Sequence, residues 1–199
     1  MRGLEMLVMI EVHVVNSLMQ TSLRDAPWFP LVNFINGLVA PSFIFISGFA
    51  FMLASQAKLE SFRAFQYDFW KQIGRIMLIW FLGYMLHIPF FSLYKCRNTA
   101  TADHWLKFLS VDVLQCIAFG LLLVFILRLV IKSDRAFLVT IISLGLLAVL
   151  PAHYVYTVDF QQYLPVYLAT YLTPIHHTSF PLFPWFGFMA AGILSGWFF

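Results

Sequence analysis

Six apolar runs, at residues 4–20, 31–55, 73–93, 109–131, 136–152 and 180–199, constrain this chain more than anything else in it. Several approach or exceed the ~20 residues that a helix needs to cross a hydrocarbon core of ~30 Å. Only 11% of the residues are charged and 61% are hydrophobic, against about a quarter charged in an average globular chain. So few ions cannot cover a water-facing surface. The pattern predicts an all-α, polytopic membrane helix bundle of about six transmembrane helices. It reads as one domain over 1–199, with no repeat or linker, and as a piece of a larger bundle truncated at its C-terminus.

The net charge of +3 would suit nucleic acid if the cations formed a patch, but they fall in the connections between spans. Nucleic acid is therefore not an expected partner; the lipid bilayer is. Cytoplasmic connections carry the excess of Lys and Arg. With the N-terminus inside, Arg2, Lys58, Arg63, Lys71, Arg75, Arg128, Lys132 and Arg135 face the cytoplasm, and Arg24, Lys95, Arg97 and Lys107 face outward. The sequence thus predicts a multi-pass protein of the cell (inner) membrane with a cytoplasmic N-terminus. His104, His153, His176 and His177 then lie in or beside external loops, His87 near the external end of the third span, and His13 deep in the first. Cys96 and Cys116 read as two free thiols.

Local features refine the spans. Pro41 removes a backbone donor and should kink or break the second run. Residues 56–72 alternate charges with large aromatics, which suits a short amphipathic helix at the membrane surface. Gly192 and Gly196 form a GxxxG that predicts close helix packing.

The first run carries polar groups that lipid cannot satisfy. At about 100° per residue, Arg2, Glu5, His13, Asn16 and Gln20 share an arc of about 80°, while Glu11 lies on another face. Such a stripe should face the bundle interior or a water-filled cavity. It can serve chemistry at His13, Asn16 and Glu11, or hydrogen bonds that hold helices together, and the sequence leaves both open. Glu11 should be paired or protonated, because a bare carboxylate in hydrocarbon is expensive. Asn33 and Asn36, in the Pro-broken run, can line a substrate site or merely satisfy a kink. Asp112 and Gln115, three residues apart, share a helix face and offer either a substrate contact or a solvated helix cap. Two adjacent histidines, His176 and His177, supply no ligand geometry by themselves, and no metal site is expected.

Several stretches together resemble one family. "MRGLEMLVMIEVHV" resembles the opening of the first span in membrane acyltransferases, "APSFIFISGFAF" their second span and "GRIMLIWFLGYML" their Arg-led third. "DVLQCIAFGLL" is similar to the VLQ motif opening the fourth, and "FPLFPWFGFMAAGILSG" to a later aromatic span. In order and spacing the chain resembles the catalytic domain of heparan-alpha-glucosaminide N-acetyltransferase and its bacterial relatives. The resemblance implies transfer of an acetyl group from cytoplasmic acetyl-CoA, as donor substrate, to a sugar or glycan acceptor. Arg2, Arg75 and residues 113–115 match motif positions. The histidine that carries acetyl in the lysosomal branch follows the first span, where this chain reads "TSLRDAPWFP" and has none. His13 resembles instead the first-span histidine of the wider superfamily, so a covalent acetyl-histidine and direct transfer both stay open.

On that expectation Arg63, Lys71, Arg75 and Arg135 at the cytoplasmic rim would bind the CoA phosphates, and His13 would act as base or nucleophile. Tyr154, Tyr156, Tyr163, Trp105 and Trp185 could stack on a sugar or form an interfacial belt. The competing classes are a proton-coupled transporter or channel and a non-catalytic membrane scaffold; a homo-oligomer is left open.

Overall fold

A computed structural model of the protein describes residues 2–20, 25–175 and 177–199; the side chains of residues 2–6, 13, 16, 17 and 93 lie outside the described residues. The described residues are helical, without strands. Each of the six apolar runs holds a helix: α1 (Arg2–Leu18), α2 (Phe29–Gly37) followed by α3 (Val39–Arg63), α4 (Tyr67–Leu86), α7 (Val113–Val130), α8 (Asp134–Val149) and α11 (Leu182–Phe198). Short helices fill the connections: α5 (Leu93–Thr99) and α6 (Ala102–Leu109) between α4 and α7, and α9 (Ala152–Val155) and α10 (Val166–Ala169) between α8 and α11. Among the described residues, two stretches, Phe29–Arg63 taken through its turn and Val113–Val130, are long and apolar enough to cross a membrane.

The chain divides into two compact units, Met1–Phe43 and Ile44–Phe199. In the first, α1 packs on α2, and the helix break falls at Leu38. Pro41 therefore sits in the first turn of α3, where its missing N–H is tolerated, and the chain turns just before it.

In the second unit α4 packs along α7, and α11 packs on α8 and α7. Phe125 of α7 centres the core, with ring contacts to Phe62 at 5.2 Å, Phe69 at 5.5 Å and Phe51 at 6.3 Å. The GxxxG expectation is borne out on α11. A Cβ added to Gly192 would fall 2.0 Å from the Phe45 carbonyl oxygen, and one on Gly196 would fall 2.8 Å from that of Phe49. Only glycine lets the two backbones approach so closely.

Residues 56–72 are not a separate surface helix. They extend α3 to Arg63, turn over 64–66 and begin α4 at Tyr67. Nothing between Gln56 and Arg63 breaks a helix, so α3 propagates until Phe65, whose φ of 54° reverses the chain. The turn is held by Lys58 of α3 donating to Asp68 of α4. Arg63, in the last turn of α3, donates through Nη2 to the carbonyls of Ile131 at 2.8 Å and Arg128 at 3.2 Å. These are carbonyls that the end of α7 leaves without helical partners. Beside them Arg128, only 2% exposed, reaches Asp134 at 2.7 Å and lies over the Phe137 ring. One end of the second unit is thus an arginine-built corner.

Candidate active site

The opposite end of the α4–α7 pair holds an imidazole in a defined setting. His87 caps the C-terminus of α4, and Asp112 caps the N-terminus of α7, its carboxylate accepting from the Val113 N–H at 2.8 Å. Asp112 and Gln115 form a reciprocal capping box, in which Gln115 Oε1 accepts from the Asp112 N–H at 3.3 Å. This fixes the Gln115 amide: with its oxygen on the backbone, its Nε2 faces His87 Nδ1 at 3.4 Å. His87 Nδ1 therefore accepts, and the ring proton sits on Nε2, which lies 3.7 Å from Asp112 Oδ2. Helix capping chooses the amide orientation, and the amide chooses the tautomer.

The setting is half wet. Gln115 is fully buried, whereas the side chains of His87 and Asp112 are 18% and 48% exposed. His87 lines a concavity of about 240 Å³ with His104, Lys107, Phe90 and Phe91. The 3-10 turn Pro89–Phe91 also lines it, and there Phe90 and Phe91 take φ values of 57° and 47°. Two successive non-glycine residues in the left-handed region are costly, of order ~1–3 kcal/mol each, and such strain concentrates near functional sites.

A layer below, Tyr171 OH accepts from Trp80 Nε1 at 2.8 Å and shares a hydrogen bond with Tyr84 OH at 3.1 Å. Burial, reinforced by the Tyr84 hydrogen bond, pushes the Tyr171 phenol well above its ordinary value, so it stays protonated.

The residues singled out by sequence are distributed unevenly around this picture. Asp112 and Gln115 meet at His87, whose role sequence reading placed only as a span end. The sequence shows a D-x-x-Q cap opening α7 and a histidine closing the α4 run, but only the packing of α4 on α7 brings them together. Glu11 and Asn36 come together in the first unit. With the Asn36 amide nitrogen turned toward its acceptors, it donates to Glu11 Oε2 at 2.8 Å and to the Val32 carbonyl at 3.3 Å. Glu11 is thus paired, with an amide as its partner, in a mainly apolar recess shared with Leu7 and Ile35. Asn33 is exposed. His13 and Asn16 lie on α1, but their side chains are outside the described residues.

Of the four cations expected to hold a donor, Arg63 is committed to the end of α7, and Lys71 lies over the Tyr67 ring at 5.3 Å. Arg75 and Arg135 are exposed. His177 pairs with Asp103 at 3.0 Å, while His176 lies outside the described residues. No cluster of three metal-ligating side chains occurs among the described residues. Among the aromatics, Tyr156 OH donates to the Phe183 carbonyl, and Trp185 stacks on Phe188 and meets the tilted Phe180 ring. Tyr154 and Tyr163 are open. Both cysteines are free thiols.

No curated protein and no solved structure matches the chain. A family model described as "Heparan-alpha-glucosaminide N-acetyltransferase, catalytic" matches residues 1–199. A match over that span settles the membership: the chain belongs to the heparan-alpha-glucosaminide N-acetyltransferase catalytic-domain family.

Proposed function

We propose that this protein is a six-span acetyltransferase of the cell membrane that moves acetyl from cytoplasmic acetyl-CoA to a sugar or glycan acceptor. The observation that carries the reading is His87, held between Asp112 and Gln115 at a cavity wall in a member of an acetyltransferase family. Antiparallel packing of α4 and α7 supports the division of labour. Arg75 lies about 18 Å along α4 from His87, at ~1.5 Å per residue over the run between them. With the N-terminus inside, Arg75, Lys71 and Arg135 meet the CoA phosphates at the cytoplasmic rim, while His87 faces the acceptor side.

In direct transfer, an acceptor hydroxyl or amine attacks the thioester carbonyl; the new C–O or C–N bond forms as the C–S bond breaks. His87 takes the acceptor's proton on its accepting nitrogen and returns it to the departing CoA thiolate. Asp112 stabilises the imidazolium formed between those steps. The 3.4 Å contact with Gln115 is long for a hydrogen bond, and an acceptor hydroxyl in the cavity would compete for the same lone pair. His13, with Asn16 and Glu11, is the second imidazole in play, proposed from its depth in the first span; Asn33 and Asn36 are proposed on the acceptor path.

Heat unfolding of the purified chain in lipid nanodiscs, with and without acetyl-CoA, tests the class. A bound donor at a hundredfold its Kd adds ~2.7 kcal/mol and a clear rise in midpoint. A transporter or scaffold with no donor site shows none, and absence of protection at millimolar donor would end this reading.

A further inference from the structure

Two concavities meet beside His87. The polar one carries His87, His104 and Lys107. The other, about 310 Å³, is walled by Phe81, Met85, Trp105 and Phe108 and is almost wholly apolar. Ile88 and Pro89 belong to the walls of both, so the two adjoin at that pair.

Each half has its own chemistry. In the polar half, His104 Nδ1 accepts from the Thr101 N–H at 3.3 Å, which leaves its proton on Nε2 as a donor. Lys107 is an exposed cation beside it. A cation and a donor on one wall complement an anion, and a phosphate gives both the charge and several acceptor oxygens. In the apolar half, Phe81, Met85 and Trp105 are exposed, so the groove opens laterally. On the membrane reading of α4, that side is lipid. A water-soluble glycan would use only the first half, whereas an acceptor that carries a hydrocarbon chain from the lipid side would use both.

We infer that the double concavity binds the acceptor as a lipid-borne anion. Its hydroxylated head lies by His87, its phosphate on Lys107 and His104, and its hydrocarbon chain in the groove of Phe81, Met85, Trp105 and Phe108. The inference deepens the transferase reading by naming the acceptor class, but the binding it describes does not depend on acetyl-CoA.

The test is saturable binding of radiolabelled decyl phosphate to the full chain in phosphatidylcholine nanodiscs, with empty discs subtracted. Butyl phosphate and inorganic phosphate should compete at least tenfold more weakly. Lys107→Gln should weaken binding at least tenfold, and Met85→Trp, which fills the groove, should erase the advantage of the long chain. Both positions are exposed, so both variants should fold; the thermal midpoint of each checks this. Binding no greater than to empty discs overturns the inference, as does equal competition by inorganic phosphate, which would mark a free-anion site. Unchanged binding in both variants does the same. Acetyl-CoA protection is measured on the same discs. Protection without saturable decyl phosphate binding sinks the lipid acceptor alone, and decyl phosphate binding without protection sinks the transferase reading alone.

Discussion

Gly83 of α4 and Gln115 of α7 are in such close contact that a Cβ on the glycine would fall 2.9 Å from Gln115 Cδ and 3.0 Å from its Oε1. Gly83 lies one helical turn before His87, so the missing side chain is what lets the amide reach the imidazole. Gly83→Ala should push Gln115 out of the capping box and lower turnover ~10-fold or more, at a stability cost of ~1–3 kcal/mol from overpacking. Adding Gln115→Ala should recover part of the stability and none of the turnover. Thermal midpoint and acetyl transfer, measured on the single and double variants, check both halves.

Asp112 does two jobs that substitution can separate. Asn keeps a side-chain acceptor for the Val113 N–H, and it is as good an N-cap as Asp. It removes the charge facing His87. Asp112→Asn should therefore keep the wild-type midpoint and lose turnover ~10-fold. Asp112→Ala should lose the same turnover and ~1 kcal/mol of stability besides. Equal turnover in wild type and Asp112→Asn would reduce the residue to a helix cap.

Arg63 and Arg75, alike in sequence as rim cations, should behave as opposites. Arg63→Met removes the donors from the Ile131 and Arg128 carbonyls and should cost ~1.5–3 kcal/mol, the worth of a charged hydrogen bond. Arg75→Ala should leave the midpoint unchanged and weaken acetyl-CoA. Denaturation midpoints together with donor affinities for the two variants decide it.

The contrast shows where the sequence was informative. The apolar runs locate each of the main helices, because burial or lipid contact acts on every residue of a run. Pro41 places the break at Leu38 within one turn, and GxxxG marks the α11 approach to α3, since both depend on neighbours in the chain. Asp112 reads as a cap for the same reason. His87 as a site and Arg63 as a cap do not read from sequence, because each is defined by a partner 25 or more positions away. Residues 56–72 misled because charge alternation marks a wet surface, and the end of a long helix is as wet as a surface helix.

The α3–α4 turn carries a pH dependence of known sign. The Lys58 hydrogen bond holds the Asp68 carboxyl below its ordinary value of 3.8, against an opposing effect of burial. A folded value below the unfolded one stabilises above the unfolded value and is lost as pH falls through the folded one. Wild type should thus exceed Asp68→Asn in thermal midpoint above about pH 5 and converge with it in stronger acid. A gap that widens on acidification would contradict the ion pair.

The most direct measurement is acetyl transfer from labelled acetyl-CoA by the full-length protein carrying His87→Gln, beside His13→Gln and wild type. Glutamine can hydrogen-bond to Asp112 and Gln115 but cannot take a proton. The account predicts that His87→Gln keeps the wild-type thermal midpoint and loses turnover by ~10²–10⁴, the usual worth of a general base. Near-normal turnover by folded His87→Gln would contradict it, and a comparable loss confined to His13→Gln would return the chemistry to the first helix.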